Sequence, residues 1–329
     1  MELAAASVPC SMFVEHHTVT TPDGWTLQMC RGMREERAQG PPVVFVPGLG
    51  MNSWIFRYHP RGRSFMEVLL DHGLDPWSVD LRGLSTARAR AGAPKAVGLA
   101  DYAYMDLPSA FDYVAHTTGY DQVHGIGCSL GGAVLYAYGS TMPGQRIDRL
   151  VTMATPLKWT RATPLVRVFG MLTPVIGLAR LRGTRGMVRV ALPVVSRIMP
   201  GMLSVYLNAE ITDVSGVRDL ARTVEDPSPR VNRQIGRWIQ RQELEIGGTN
   251  ILDALHHFDR PLLVVAGNGD GICPPENAMA ALEAVSGPGE SLVVGHEDER
   301  VAHADLLVSD IAPERVFAPI ARWLRKREG

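Results

Sequence analysis

The chain has 329 residues, 46% of them hydrophobic, enough for one large α/β domain with an insertion or for two ordinary domains. Its 33 Lys and Arg nearly balance 34 Asp and Glu, and a net charge of −1 gives no reason to expect nucleic acid or another polyanion as partner. Cys10, Cys30, Cys128 and Cys273 form neither a CxxC pair nor a zinc-ligand spacing, so they read as reduced thiols of a cytoplasmic protein without a metal site.

Met1 to Cys10 is apolar but carries Glu2 and no basic flank, so it reads as ordinary chain rather than a secretory leader. From Phe13 to Arg31 polar and apolar residues alternate around Thr21-Pro22-Asp23-Gly24, the pattern of a two-stranded hairpin. The run Val43-Val44-Phe45-Val46 suits a central strand covered on both faces, and it ends in Pro47-Gly48-Leu49-Gly50. A helix over Arg63–Leu70, a strand over Pro76–Asp80 and an amphipathic helix from Asp101 to His116, stopped by Gly119, follow.

Next comes Gly125-Ile126-Gly127-Cys128-Ser129-Leu130-Gly131-Gly132, between a strand pattern (Tyr120–Ile126) and a helix pattern (Ala133–Tyr138). A small-x-Ser-x-small unit between strand and helix is the nucleophile elbow, where backbone crowds the residues two before and two after the nucleophile. Gly127 and Gly131 meet that demand for Ser129. With Cys128 as nucleophile the same places would hold Ile126 and Leu130, so the register selects the serine.

After a strand at Arg149–Ala154 the alternation stops at Thr155-Pro156. Up to about His257 the chain reads as helices over Val166–Leu178, Gly186–Met199 and Gly201–Tyr206, with no strand. The longest uncharged stretch there, Val168 to Ala179, is far short of a membrane span, so a soluble protein without stable membrane insertion is expected. Met171, Met187, Met199, Met202 and Leu203 are candidates to line an apolar pocket, with packing among themselves as the plainer alternative. Arg180, Arg182, Arg185 and Arg189 read as a solvated face, with membrane contact the weaker alternative.

The strand pattern resumes at Pro261–Gly267, followed by a helix over Pro275–Val285, a strand over Ser291–Val294 and a final helix over Pro313–Arg325. Alternating strands and helices predict a mostly parallel, doubly wound sheet with ligands at the carboxyl ends of its strands. The predicted division is a core in two parts, 1–155 and 259–329, with a helical cap at 156–258 over the active face.

A serine hydroxyl needs a histidine to take its proton and an acid to orient that histidine, in the chain order serine, acid, histidine on such a sheet. Asp270, in the Asn268-Gly269-Asp270-Gly271 loop after a strand, is the acid expected. His303, in Val301-Ala302-His303-Ala304-Asp305, is favoured as base because an exposed loop before the last helix can reach back over the sheet. His296 at the end of the preceding strand is its competitor. His116 and Asp121 match an H-x4-D spacing by coincidence, and the pairs His16-His17 and His256-His257 have no metal-site context. The backbone N–H groups of Leu130 and Leu49 are the candidates for an oxyanion hole.

Gly127-Cys128-Ser129-Leu130-Gly131-Gly132, the Asp270 loop and His303 together resemble the α/β-hydrolase fold over nearly the whole chain. Within it, His303-Ala304-Asp305-Leu306, Asp310-Ile311-Ala312-Pro313 and Val316-Phe317 are similar to the acid-lipase and polyhydroxyalkanoate-synthase-like branches. The synthases use cysteine at the elbow, and dehalogenases and soluble epoxide hydrolases use aspartate, so Ser129 favours hydrolysis of an ester. Pro47-Gly48 departs from the commoner His-Gly oxyanion motif. The reading is a serine hydrolase for a small carboxylic ester or thioester with an apolar acyl or alcohol part, needing no cofactor. An acyltransferase or thioesterase with the same residues is the first alternative, and a non-catalytic binding protein on the same scaffold is the second.

Overall fold

The computed structural model describes residues 12–35, 40–176, 182–198 and 200–326. Cys10, Arg180, Met199 and the reading of the N-terminus lie outside the described residues, as does the side chain of Met202.

The hairpin expected at the start is β1 (Phe13–Thr20) and β2 (Trp25–Met33), antiparallel about the Thr21–Gly24 turn. Then come β3 (Pro42–Val46), α1 (Phe65–Asp71), β4 (Asp75–Asp80), α2 (Leu107–Thr118), β5 (Val123–Cys128), α3 (Leu130–Thr141) and β6 (Ile147–Met153). Between β6 and the next strand of the sheet lie α4 (Pro164–Ile176), α5 (Thr184–Ile198) and α6 (Pro229–Arg241). The chain closes with β7 (Leu262–Gly267), α7 (Pro275–Ala284), β8 (Gly289–Val294) and α8 (Ala318–Leu324).

The strands form one sheet in the order β1-β2-β4-β3-β5-β6-β7-β8, and the short pair Arg88–Ala89 adds to β2. From β4 to β8 all pairings are parallel. The pleat explains the core on each side. Val43 and Phe45 of β3 join one apolar cluster with α1 and α8, whereas Val44 and Val46 join the other with α2 and α3. Helix ends follow their local chemistry: Ser64 and Glu67 form a capping box on α1, and Gly119 ends α2 in the left-handed region at φ 78°.

One expectation fails in the segment between β6 and β7. Glu245–Ile246 and Thr249–Asn250 form a two-stranded antiparallel hairpin there, turned through Gly247 and Gly248 at φ 63° and 85°. Two-residue strands are too short to show alternation, and the Gly-Gly pair was the only sequence signal for the turn. No helix among the described residues is long and apolar enough to cross a membrane.

Candidate active site

Ser129 stands where β5 turns into α3, with φ 51° and ψ −116°, a conformation that a residue with a side chain adopts only under constraint. The constraint comes from both sides. Ser129 N donates to Met153 O at 2.8 Å, which ties the turn to β6. A Cβ on Gly127 would lie 2.4 Å from Gly132 N, and one on Gly131 would lie 2.2 Å from Val46 O. The two flanking glycines are therefore required by backbone contact. Cys128 points the other way, into the core, where burial pushes its thiol up to about 12, far from the reactive thiolate form.

Asp270 follows β7 by three residues and is 4% exposed. Its Oδ1 accepts from Ile272 N and Cys273 N, both at 2.8 Å, and its Oδ2 lies 2.8 Å from His303 Nδ1. A carboxylate only accepts, so the proton of this bond sits on Nδ1, and Nε2 is left with a free lone pair. His303 is not in an exposed loop, contrary to the expectation, but is 7% exposed. The cause is a strap of residues preceding it in sequence by almost one hundred positions: Tyr206 O accepts from Ala304 N at 2.8 Å and Val205 O accepts from Gly271 N at 2.9 Å. The strap thus joins the loop of the acid to the loop of the histidine, and the Tyr206 ring lies 5.8 Å from the imidazole. His296, the competitor, is exposed and sits 3.9 Å from Glu299.

The His303 loop has a second support that the sequence reading passed over. Buried Asp305 accepts from Ala302 N at 2.7 Å, from Thr212 Oγ1 at 2.8 Å and from Asn208 N at 3.0 Å. Its place two residues after the histidine was visible, but Asn208 and Thr212, almost a hundred residues earlier, were not.

Leu49 and Leu130 lie beside Ser129 on the wall of one cavity. Their N–H groups donate to no protein acceptor among the described residues, and Gly48 packs so closely that a Cβ there would sit 3.3 Å from Ser129 Cβ. The Gly48–Asn52 loop is fixed from outside. Met51 bridges Val224, Asn52 N donates to Thr223 O, and Glu225 N donates to Gly50 O. The buried Glu225 carboxylate accepts from Asn52 Nδ2, Ser85 Oγ and Arg185 Nη2 at 2.7 to 2.9 Å. Nothing in the sequence pointed to Glu225, because its partners are spread from Asn52 to Arg185.

Two apolar cavities share Leu49. One of about 310 Å³ opens at Ser129 and is walled by Trp159, Phe169, Trp238 and Ile239. The other, about 510 Å³, lies toward Tyr206 and Ala304 and is walled by Met51, Val188, Leu192 and Leu203. Of the candidate lining residues, Met187 and Leu203 reach this second cavity, whereas Met171 is 71% exposed. Outward exposure of Met171 follows from its helix position, since Val166 and Phe169 take the inward flank of α4.

The other histidines stay apart from this site. His17 Nδ1 lies 3.0 Å from the Tyr113 hydroxyl, His16 lies 3.5 Å from Cys30 Sγ, and His256 and His257 are exposed. His116 ends α2, and the Asp121 carbonyl accepts from Arg146. Among the described residues no cluster of three or more His, Cys, Asp or Glu is placed to hold a metal ion.

A family model for the alpha/beta hydrolase fold matches residues 41–183. Lipase member N of Homo sapiens is 29% identical over 187 residues, 52% of this chain and 46% of that protein. Human gastric triacylglycerol lipase is 30% identical over 165 residues, 45% of this chain and 41% of that protein. The chain thus spans less than half the length of either lipase. Among solved structures, a hydrolase from Pseudomonas aeruginosa superposes with a TM-score of 0.63 at 16% identity, over 95% of this chain and 99% of that one. A putative aryl esterase from Burkholderia cenocepacia superposes with a TM-score of 0.61 at 18% identity, over 94% and 98% of the two chains.

Proposed function

We propose that this member of the α/β-hydrolase superfamily is a serine hydrolase that cleaves a small carboxylic ester with apolar groups on both sides of the scissile bond. The observation that carries the reading is the buried 2.8 Å bond from His303 Nδ1 to Asp270, on the same edge of the sheet as a serine held at positive φ. Lipases among the relatives and esterases among the structural neighbours support ester chemistry in general.

In this mechanism Ser129 Oγ attacks the ester carbonyl while His303 Nε2 takes its proton. Asp270 holds the imidazole in the tautomer that leaves Nε2 basic and stabilises the imidazolium once it forms. The N–H groups of Leu49 and Leu130 receive the oxyanion of the tetrahedral intermediate, which a low-dielectric, preorganised site stabilises far more than water would. His303 then returns the proton to the departing alcohol. Water, activated by the same Nε2, releases the acyl group from Ser129. The segment 156–258 acts as a cap, and its Trp159, Phe169 and Trp238 furnish the apolar wall nearest the serine.

The test is hydrolysis of p-nitrophenyl esters from acetate to palmitate by the wild type and by Ser129→Ala. The expected result is turnover with an optimum in chain length, lost on the order of 10⁶-fold in the variant. Folded protein that hydrolyses none of these esters and also resists a fluorophosphonate probe would overturn the reading.

A further inference from the structure

We propose that the outer face of α4 and α5 docks this chain reversibly on an anionic lipid surface. The first ground is charge. From Pro156 to Ala209 the sequence holds Lys158 and seven arginines but no Asp or Glu, within a chain whose net charge is −1. The segment's own charges are thus all positive, with Arg167, Arg182 and Arg189 exposed on it.

The second ground is what stands between those arginines. A helix that buries one flank ordinarily turns polar residues to water on the other. Helix α5 does not. Val188, Leu192 and Val195 line the larger cavity, yet Met187, Val190, Val194 and Ile198 are 61%, 73%, 51% and 72% exposed. Their spacing of three, four and four residues sets them in one stripe along the helix. Helix α4 repeats the arrangement, with Val166 and Phe169 against the smaller cavity and Val168, Met171 and Leu172 exposed.

An apolar stripe bordered by arginine is the pattern of a helix that lies in the boundary between headgroups and acyl chains. Each basic residue near an anionic leaflet adds attraction, and the apolar side chains add burial, so the two signals act together. A second copy of the chain fits this face less well, because a two-fold contact would set the same arginines against one another. Met187 joins the surface to the interior: it is exposed and also lines the larger cavity. A lipid-soluble ligand could therefore pass between bilayer and cavity without crossing bulk water. Docking itself does not depend on the hydrolase reading.

The experiment uses the full chain carrying Ser129→Ala, so that no lipid is turned over. Co-sedimentation is measured with vesicles of phosphatidylcholine alone and of phosphatidylcholine mixed with phosphatidylglycerol. The expected result is binding to the mixed vesicles at least about tenfold stronger than to phosphatidylcholine alone, weakened by added salt. Val190→Glu combined with Ile198→Glu should lower that binding about tenfold more, with the thermal melt unchanged. Equal binding to both vesicles, or no binding to either, overturns the proposal, and the salt dependence of the Ser129→Ala chain reads it even if the added double substitution folds poorly. A dimer in sedimentation equilibrium that the double variant abolishes, without vesicle binding, would reassign the face to self-association and overturn it as well.

Discussion

Ser129, Asp270 and His303 differ in how their surroundings commit them. The serine is fixed by backbone, through a positive φ and two glycines that admit no Cβ. The aspartate is fixed by donors. Ile272 N and Cys273 N both require an acceptor at Oδ1, which leaves Oδ2 for His303 Nδ1. Asp270→Asn should exploit that division. The two N–H groups would hold the amide oxygen, so the amide nitrogen would face Nδ1, force the proton onto Nε2 and remove the base. A fall in kcat of about 10⁴-fold is expected, with a nearly unchanged melting temperature and equally slowed fluorophosphonate labelling. A loss under about tenfold would remove Asp270 from the orienting role. The three were legible as candidates because each carries a local signal: flanking glycines, a post-strand loop, a histidine before the last helix. The burial of His303 was not, since the strap that covers it, Val205 and Tyr206, lies far away in the sequence.

At the scale of elements, the strands whose residues alternate or run apolar were readable. The four residues from Val43 to Val46 divide between the two core clusters, as a strand covered on both faces must. What escaped the reading was pairing across long separations. Glu225 clamps Asn52 and Arg185, and Asp305 holds Thr212, and neither leaves a local pattern. Strand β5 carries a further consequence. His124 is buried within it, and burial pushes its imidazole down to about 4, outweighing the Asp148 carboxylate whose Oδ2 lies 3.2 Å away. The unfolded chain takes up this proton near pH 6.5. Above that pH both states are neutral and nothing is lost. As pH falls from 6.5 towards 4, only the unfolded state binds the proton, so stability declines across that window. Thermal melts should fall in this range for the wild type and fall less steeply for His124→Gln. Parallel curves for the two proteins would show that His124 is not a source of the pH dependence.

At the scale of the whole molecule, two apolar chambers that belong to different helices share Leu49, and Ser129 opens into the smaller of them. The smaller takes its wall from α4 and α6, the larger from α5 and the loops around Tyr206, and Leu49 is common to both. An ester bound with its carbonyl at the Leu49 and Leu130 amides would send its acyl and alcohol parts into separate chambers. Selectivity for the two halves should then be separable. Phe169→Ala enlarges the smaller chamber, and Leu192→Phe fills part of the larger, each by a side chain on one wall. Two ester series test this, one varying the acyl chain with a fixed alcohol and one varying the alcohol with a fixed acyl group. A change of one methylene in an apolar pocket is worth roughly 10- to 200-fold in kcat/KM. Each variant should therefore move the optimum of one series by at least about tenfold and leave the other within about twofold. If both variants move the same series, the chambers act as one, and the substrate has a single large apolar part. If they move different series, α4 and α5 set acyl and alcohol preference independently, and the substrate of this chain can be sought by matching each half to its own chamber.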